Sequence, residues 1–82
     1  MNNHRQLKKA SLVDLQERRE KIRKKALNIC RMIMPLIDPD LAEFADMDIA
    51  SAADGTDELV MLQAELLTLD SKIAQLEEAL YG

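Results

Sequence analysis

Few side chains in this sequence have the chemistry to carry a reaction, and their spacing does not bring them together. Cys30 is the only thiol and His4 the only imidazole. A thiolate nucleophile needs a base beside it. His4, however, falls in residues 1–10, read as a flexible basic N-terminus, and Cys30 falls among Leu27, Ile29, Ile33 and Met34. Those neighbours predict a buried, inert thiol.

The carboxylates invite a second reading, as calcium ligands. Counted as a 12-residue loop from Asp46, the stretch puts Asp48 at position 3 and Asp54 at position 9. Ala50 then occupies position 5, Ser51 stands where the sharp turn needs Gly, and Asp57 replaces the bidentate Glu at position 12. The acids Asp38, Asp40, Glu43, Asp46, Asp48, Asp54 and Asp57 are better read as helix caps and solubilising charges. No Gly-rich phosphate loop, Ser/His/Asp set or His/Cys ligand spacing is present. No catalytic, metal-binding or cofactor-binding residue is predicted, and the chain reads as a non-enzyme without cofactor or small-molecule substrate.

The third candidate chemistry is phosphate binding. Arg18, Arg19, Lys21, Arg23, Lys24, Lys25 and Arg31 could contact RNA or DNA, or an acidic partner, with a salt-dependent increment for each neutralised phosphate. They spread around the helix and carry no aromatic side chains to stack on bases. Three acid-first i,i+4 pairs, Asp14 with Arg18, Glu17 with Lys21 and Glu20 with Lys24, also use part of the charge locally, each worth about 0.2–0.5 kcal/mol. Nucleic-acid binding is therefore the alternative reading and protein binding the leading one.

The elements that position these residues announce themselves by period. Leu59, Leu62, Leu66, Leu69, Ile73, Leu76 and Leu80 alternate spacings of 3 and 4, with Leu59, Leu66, Ile73 and Leu80 at heptad position a and the others at d. Such a run must lie against another helix to leave water. A weaker series, Leu12, Leu15, Arg19, Ile22, Ala26, Ile29, Ile33 and Leu36, precedes it. Leu15, Ile22, Ile29 and Ile33 are its chief seam residues, and Arg19 interrupts it at a. The fold class predicted is all-α: an antiparallel, coiled-coil-like helical hairpin of helices at 11–36 and 57–81, with a short connecting helix at 39–46.

Local signals set those limits. Ser11 is read as an N-cap, Pro35 as the end of the first helix, and Asp38-Pro39 as a new start. Asp54-Gly55 is read as a turn, with Thr56 capping the last helix. Residues 11–82 then form one domain.

Charge divides the same way. Ten of the eleven Lys and Arg lie at or before Arg31, and twelve of the fifteen acids at or after Asp38. In an antiparallel register Arg23, at e, is expected to meet Asp70 or Glu77, whereas Arg18 and Lys25, at g, would face Lys72 or Ala79 and stay available. Val60, Met61, Leu67, Met32 and Met34 exceed what a two-helix seam can bury. Two hairpins are therefore expected to join as a homodimeric four-helix bundle, and the excess apolar positions and acidic connector to bind another protein. The lone cysteine, the lack of an apolar run of membrane-spanning length and the polar MNNHRQLKK start predict a cytoplasmic protein with no membrane role. The reading is of a small regulatory or adaptor protein.

Overall fold

The computed structural model describes residues 3–82; Met1 and Asn2, part of the expected flexible N-terminus, lie outside it. Two long helices make the molecule, α1 over Asn3–Ile33 and α2 over Ile49–Tyr81, joined as an all-α helical hairpin. No strand occurs among the described residues. The particle measures 66 × 17 × 15 Å, and its radius of gyration of 18.6 Å compares with about 12 Å for a compact chain of this length.

Four boundaries differ from the sequence expectation, each for a physical reason. Residues 3–10 are helical, so α1 starts upstream of Ser11; they contain neither Gly nor Pro, and Arg5 lies over the Tyr81 ring, 5.9 Å from its centroid. At its other end α1 stops at Ile33, because Pro35, which has no amide to donate, is the second residue of a 3-10 turn over Met34–Leu36.

The connecting helix at 39–46 does not form. Asp38 nucleates one turn, its Oδ1 accepting from the Asp40 amide at 2.8 Å and its carbonyl from the Leu41 amide at 3.1 Å. Only a 3-10 turn at Phe44–Asp46 follows. Two turns of helix cannot sustain themselves without packing, and Leu41 and Phe44 remain exposed.

The largest difference is at α2, which begins at Ile49 rather than after Thr56. Asp48 caps it, Oδ1 accepting from the Ser51 amide at 3.1 Å. Gly55 is inside the helix with a negative φ. Thr56 is no cap: its hydroxyl donates back to the Ala52 carbonyl at 2.9 Å, the bond a mid-helix threonine makes. The heptad register thus runs back through Gly55 and Ala52, two small residues that let the helices approach where the hairpin turns.

The core is a thin seam between the rods. Toward the turn, Ile29, Ile33, Ala52 and Leu62 are buried, with Ile22, Ala26, Leu36 and Leu59 packed around them. Toward the open end, Leu12, Ile73 and Leu80 are buried against Leu15 and Leu76. Among the described residues no side chain falls below 2 % exposure, as expected of two helices that cover each other on one side only.

Candidate interaction surfaces

The seam residues read from the heptads all face inward. Leu62, Leu69, Ile73, Leu80, Ile29 and Ile33 are buried, and Leu59, Leu66, Leu76, Leu15 and Ile22 are half-buried. They are committed to the hairpin, so any further partner must meet the remaining surface.

Among the described residues Arg19 holds the one cross-helix ion pair made from within the seam. Its Nε donates to Asp70 Oδ1 at 2.5 Å, with both side chains 40 % exposed. The bond to Asp70, and then the attraction of its charge, make the guanidinium hold its proton more firmly than usual. Arg19 reaches from a to a carboxylate at e, and Asp70 is thereby taken from Arg23. Arg23 instead pairs with Glu20 on its own helix at 3.4 Å.

Lys25, expected to remain free, pairs with Glu58 at 3.2 Å. Like-lettered flanks do lie together in this pair, g beside g, but the level of the contact is nearer the turn than Lys72. None of the three expected i,i+4 pairs closes to 4 Å. Arg18, Lys21, Lys24 and Arg31 form no ion pair among the described residues and lie exposed on the outer arc of α1.

The long flanks differ in character. A groove along one brings together Arg23, Thr56, Val60 and Gln63, positions e and b. A groove on the other brings together Met32, Ser51, Asp54 and Glu58, positions g and c. The g and c columns carry the charged residues Arg18, Lys21, Lys25, Glu58, Glu65 and Lys72. By contrast, the b column of α2 on the other flank is apolar throughout, Ala53, Val60, Leu67, Ala74 and Tyr81, beside an e column that is mostly polar. Cys30 belongs to that side and is half-buried rather than buried, because the partner helix covers a and d but leaves e open.

The tip of the hairpin is a third surface. Met34–Asp48 contains Asp38, Asp40, Glu43, Asp46 and Asp48 and no Lys or Arg. Among them Phe44 is 78 % exposed and Leu41 67 % exposed. Backbone bonds hold this loop in shape: Ala42 donates to Asp38, Asp46 to Glu43 at 2.9 Å, and Met47 to Phe44 at 3.2 Å. The acidic connector is a protein-binding candidate from its sequence, whereas the exposure of Leu41 and Phe44 follows from the helix expected at 39–46 not forming.

Among the described residues no three His, Cys, Asp or Glu side chains converge on a possible metal position; 49–57, most of the calcium-like stretch, is helix. No helix among them is long and apolar enough to cross a membrane. No protein-family model matches the sequence, and neither a curated protein nor a solved structure matches it.

Proposed function

We propose that this chain is a non-enzymatic interaction protein that presents the tip of its hairpin to another protein. One observation carries the reading: an internally bonded loop holds Phe44 and Leu41 in water amid five carboxylates. Exposing two bulky apolar groups forgoes about 1.5–3 kcal/mol each relative to burial, and a partner pocket recovers it. The complementary surface is an apolar pocket rimmed by Lys or Arg; the charges steer the encounter and the aromatic anchors it. The long seam acts as the mount that keeps the tip at one end of a rigid rod. The single half-buried thiol supports a reducing compartment, and we place the protein in the cytoplasm on that ground.

The test is a photo-crosslinking residue in place of Phe44, expressed in the source cell. Adducts with a protein other than the chain itself, lost when Asp40→Lys and Glu43→Lys are added, support the reading. If only self-adducts form, or none, at both position 44 and position 41, the tip is not the binding surface. Nucleic-acid binding stays as a second reading because Arg18, Lys21, Lys24 and Arg31 are unpaired on one arc.

A further inference from the structure

One flank of the hairpin is organised to be covered along its length. Positions e and b of both helices share it, since like-lettered flanks of an antiparallel pair lie side by side. On α2 the b column reads Ala53, Val60, Leu67, Ala74 and Tyr81, apolar at every seventh residue and exposed throughout. α1 contributes Val13, Leu27 and Cys30. Charges on this flank are mostly satisfied within the chain, Arg23 by Glu20 and Asp70 by Arg19. Lys9 and Glu77, both toward the open end, are the exceptions.

We infer that this flank is occupied by a second copy of the chain, with the two hairpins side by side and their turns at the same end. In the resulting four-helix bundle α1 of each copy lies against α2 of the other. This surface is separate from the tip, so the inference stands or falls independently of the proposed function.

Area argues for an occupant. The chain exposes 6457 Å², whereas a compact protein of 9.3 kDa exposes about 5,000 Å². The excess is larger than the roughly 800 Å² per partner that a standard interface buries.

Charge argues for the same chain and fixes the orientation. By formal count α1 carries +7 and α2 −6. A twofold axis along the rods sets the basic helix of one copy against the acidic helix of the other. A twofold across the rods would set basic against basic and acidic against acidic, at a cost.

The apolar gradient chooses the same axis. Leu27 and Cys30 on α1 and Val60 on α2 lie in the turn half of this flank, whereas its unpaired charges Lys9 and Glu77 lie in the open half. With turns together, apolar half meets apolar half; with turns apart it meets the charged open half. At the open end the arrangement also brings Lys9 level with Glu77 of the second copy, because the Arg19–Asp70 contact sets the level at which α1 and α2 positions correspond.

Two measurements decide this. Light scattering over a hundredfold concentration range is expected to give twice the 9.3 kDa chain mass. Val60→Glu with Leu67→Glu should raise the dissociation constant on the order of 100-fold or more, since charges must then be buried without partners. Met61→Glu, on the opposite flank, should leave the mass unchanged. A monomer throughout, or a dimer indifferent to Val60→Glu and Leu67→Glu, overturns the inference, and a monomer assigns the flank to helices of a different protein.

Orientation is read without altering the apolar columns beyond Cys30→Ala. A spin label on Glu43→Cys should report a separation set by the width of the bundle. A separation approaching the 66 Å length of the rod would place the turns at opposite ends and overturn the proposed arrangement. This readout also decides the matter if the double glutamate variant fails to fold.

Discussion

Gly55 lies so close to Ile33 that a Cβ on the glycine would meet Ile33 Cδ1 at 2.7 Å and Cγ1 at 2.8 Å, with Ile29 Cγ2 at 3.5 Å. Two opposed effects follow from replacing it. Ala in a helix interior gains about 0.8–1 kcal/mol over Gly, while overpacking a close contact costs roughly 1–3 kcal/mol. Here the Cγ1 contact decides: it is near the root of the isoleucine and cannot swing aside as a terminal methyl can. Gly55→Ala is expected to destabilise by about 1 kcal/mol in denaturant unfolding. Ile33→Val removes Cδ1 alone, so the double variant should lose less than the two single losses added together. A Gly55→Ala protein more stable than wild type would mean that the helices do not approach this closely.

That contact also shows where the sequence could and could not be read. Large side chains at 3-4 spacing betray the seam wherever it is lined by Leu and Ile, and they place Leu62, Leu69 and Ile73 correctly against the partner helix. Across Ala52 and Gly55 the same register continues in residues too small to register as apolar periodicity. Asp54-Gly55 then resembles a turn, although the absence of a side chain at 55 serves close packing. The connector fails for the converse reason: Asp38-Pro39 is a genuine start signal and does bond the next turn, but propagation needs packing that Leu41 and Phe44 do not find. Flank pairing was legible by letter only. Lys25 meets an acid on its own flank, Glu58, whereas Arg19 reaches out of the seam for Asp70 and leaves Arg23 to Glu20.

Arg19 breaks the apolar run between Leu15 and Ile22. A leucine there would extend the seam, and replacing an ion pair by a well-packed apolar residue is often stabilising. Arg19→Leu is expected to raise Tm by roughly 5 °C in thermal unfolding by circular dichroism. Asp70→Ala should lower Tm slightly, and the difference should shrink at 1 M salt, where the Debye length is about 3 Å. An Arg19→Leu variant that melts earlier would make the Arg19–Asp70 pair a net contributor to stability.

Leu66 and Leu69 sit at the middle of the rod, Leu69 being 6 % exposed. Converting both to Asn deletes apolar contacts and inserts unpaired amides, each change costing on the order of 2–5 kcal/mol. A domain of this length has roughly 4–12 kcal/mol in total. The double variant should lose most of its helical signal at 25 °C, whereas Met61→Asn, at a side chain 73 % exposed, should keep it. Wild-type melting of the Leu66, Leu69 variant would show the register to be wrong.

Arg18, Lys21, Lys24 and Arg31 give the hairpin a diffuse basic arc, and the second functional reading depends on it. With no aromatic stacking and an acidic companion helix, only weak counterion-driven binding is expected, in the nonspecific range of about 10⁻⁴–10⁻⁶ M at physiological salt. In a gel-retardation assay a 30-nucleotide RNA or duplex should show no shift at micromolar protein and about 150 mM salt. Sequence-selective retention under those conditions, lost on charge removal at Lys21 and Lys24, would move the function to α1.

Asp48 supplies a pH-dependent element at the start of α2. Hydrogen bonding from Ser51, through its side chain and then its backbone, holds the Asp48 carboxyl below the ordinary carboxylate range. A folded-state pKa below the unfolded one means that the capping contribution is fully present above the unfolded value, about 3.9. It is lost as pH falls through the lower folded value, because the protonated acid is a poorer acceptor and no longer complements the helix dipole. Asn caps almost as well and does not titrate. Asp48→Asn is therefore expected to trail wild type slightly above pH 4, where the charged cap adds the dipole term, and to exceed it once the carboxyl has been protonated. Asp48→Ala, with no acceptor, should trail both at neutral pH and converge toward wild type in acid. Thermal melts of the three proteins from pH 2 to pH 7 check this: a wild-type-to-Asn difference that is flat across pH 4 would mean that the Asp48 charge plays no part in starting α2.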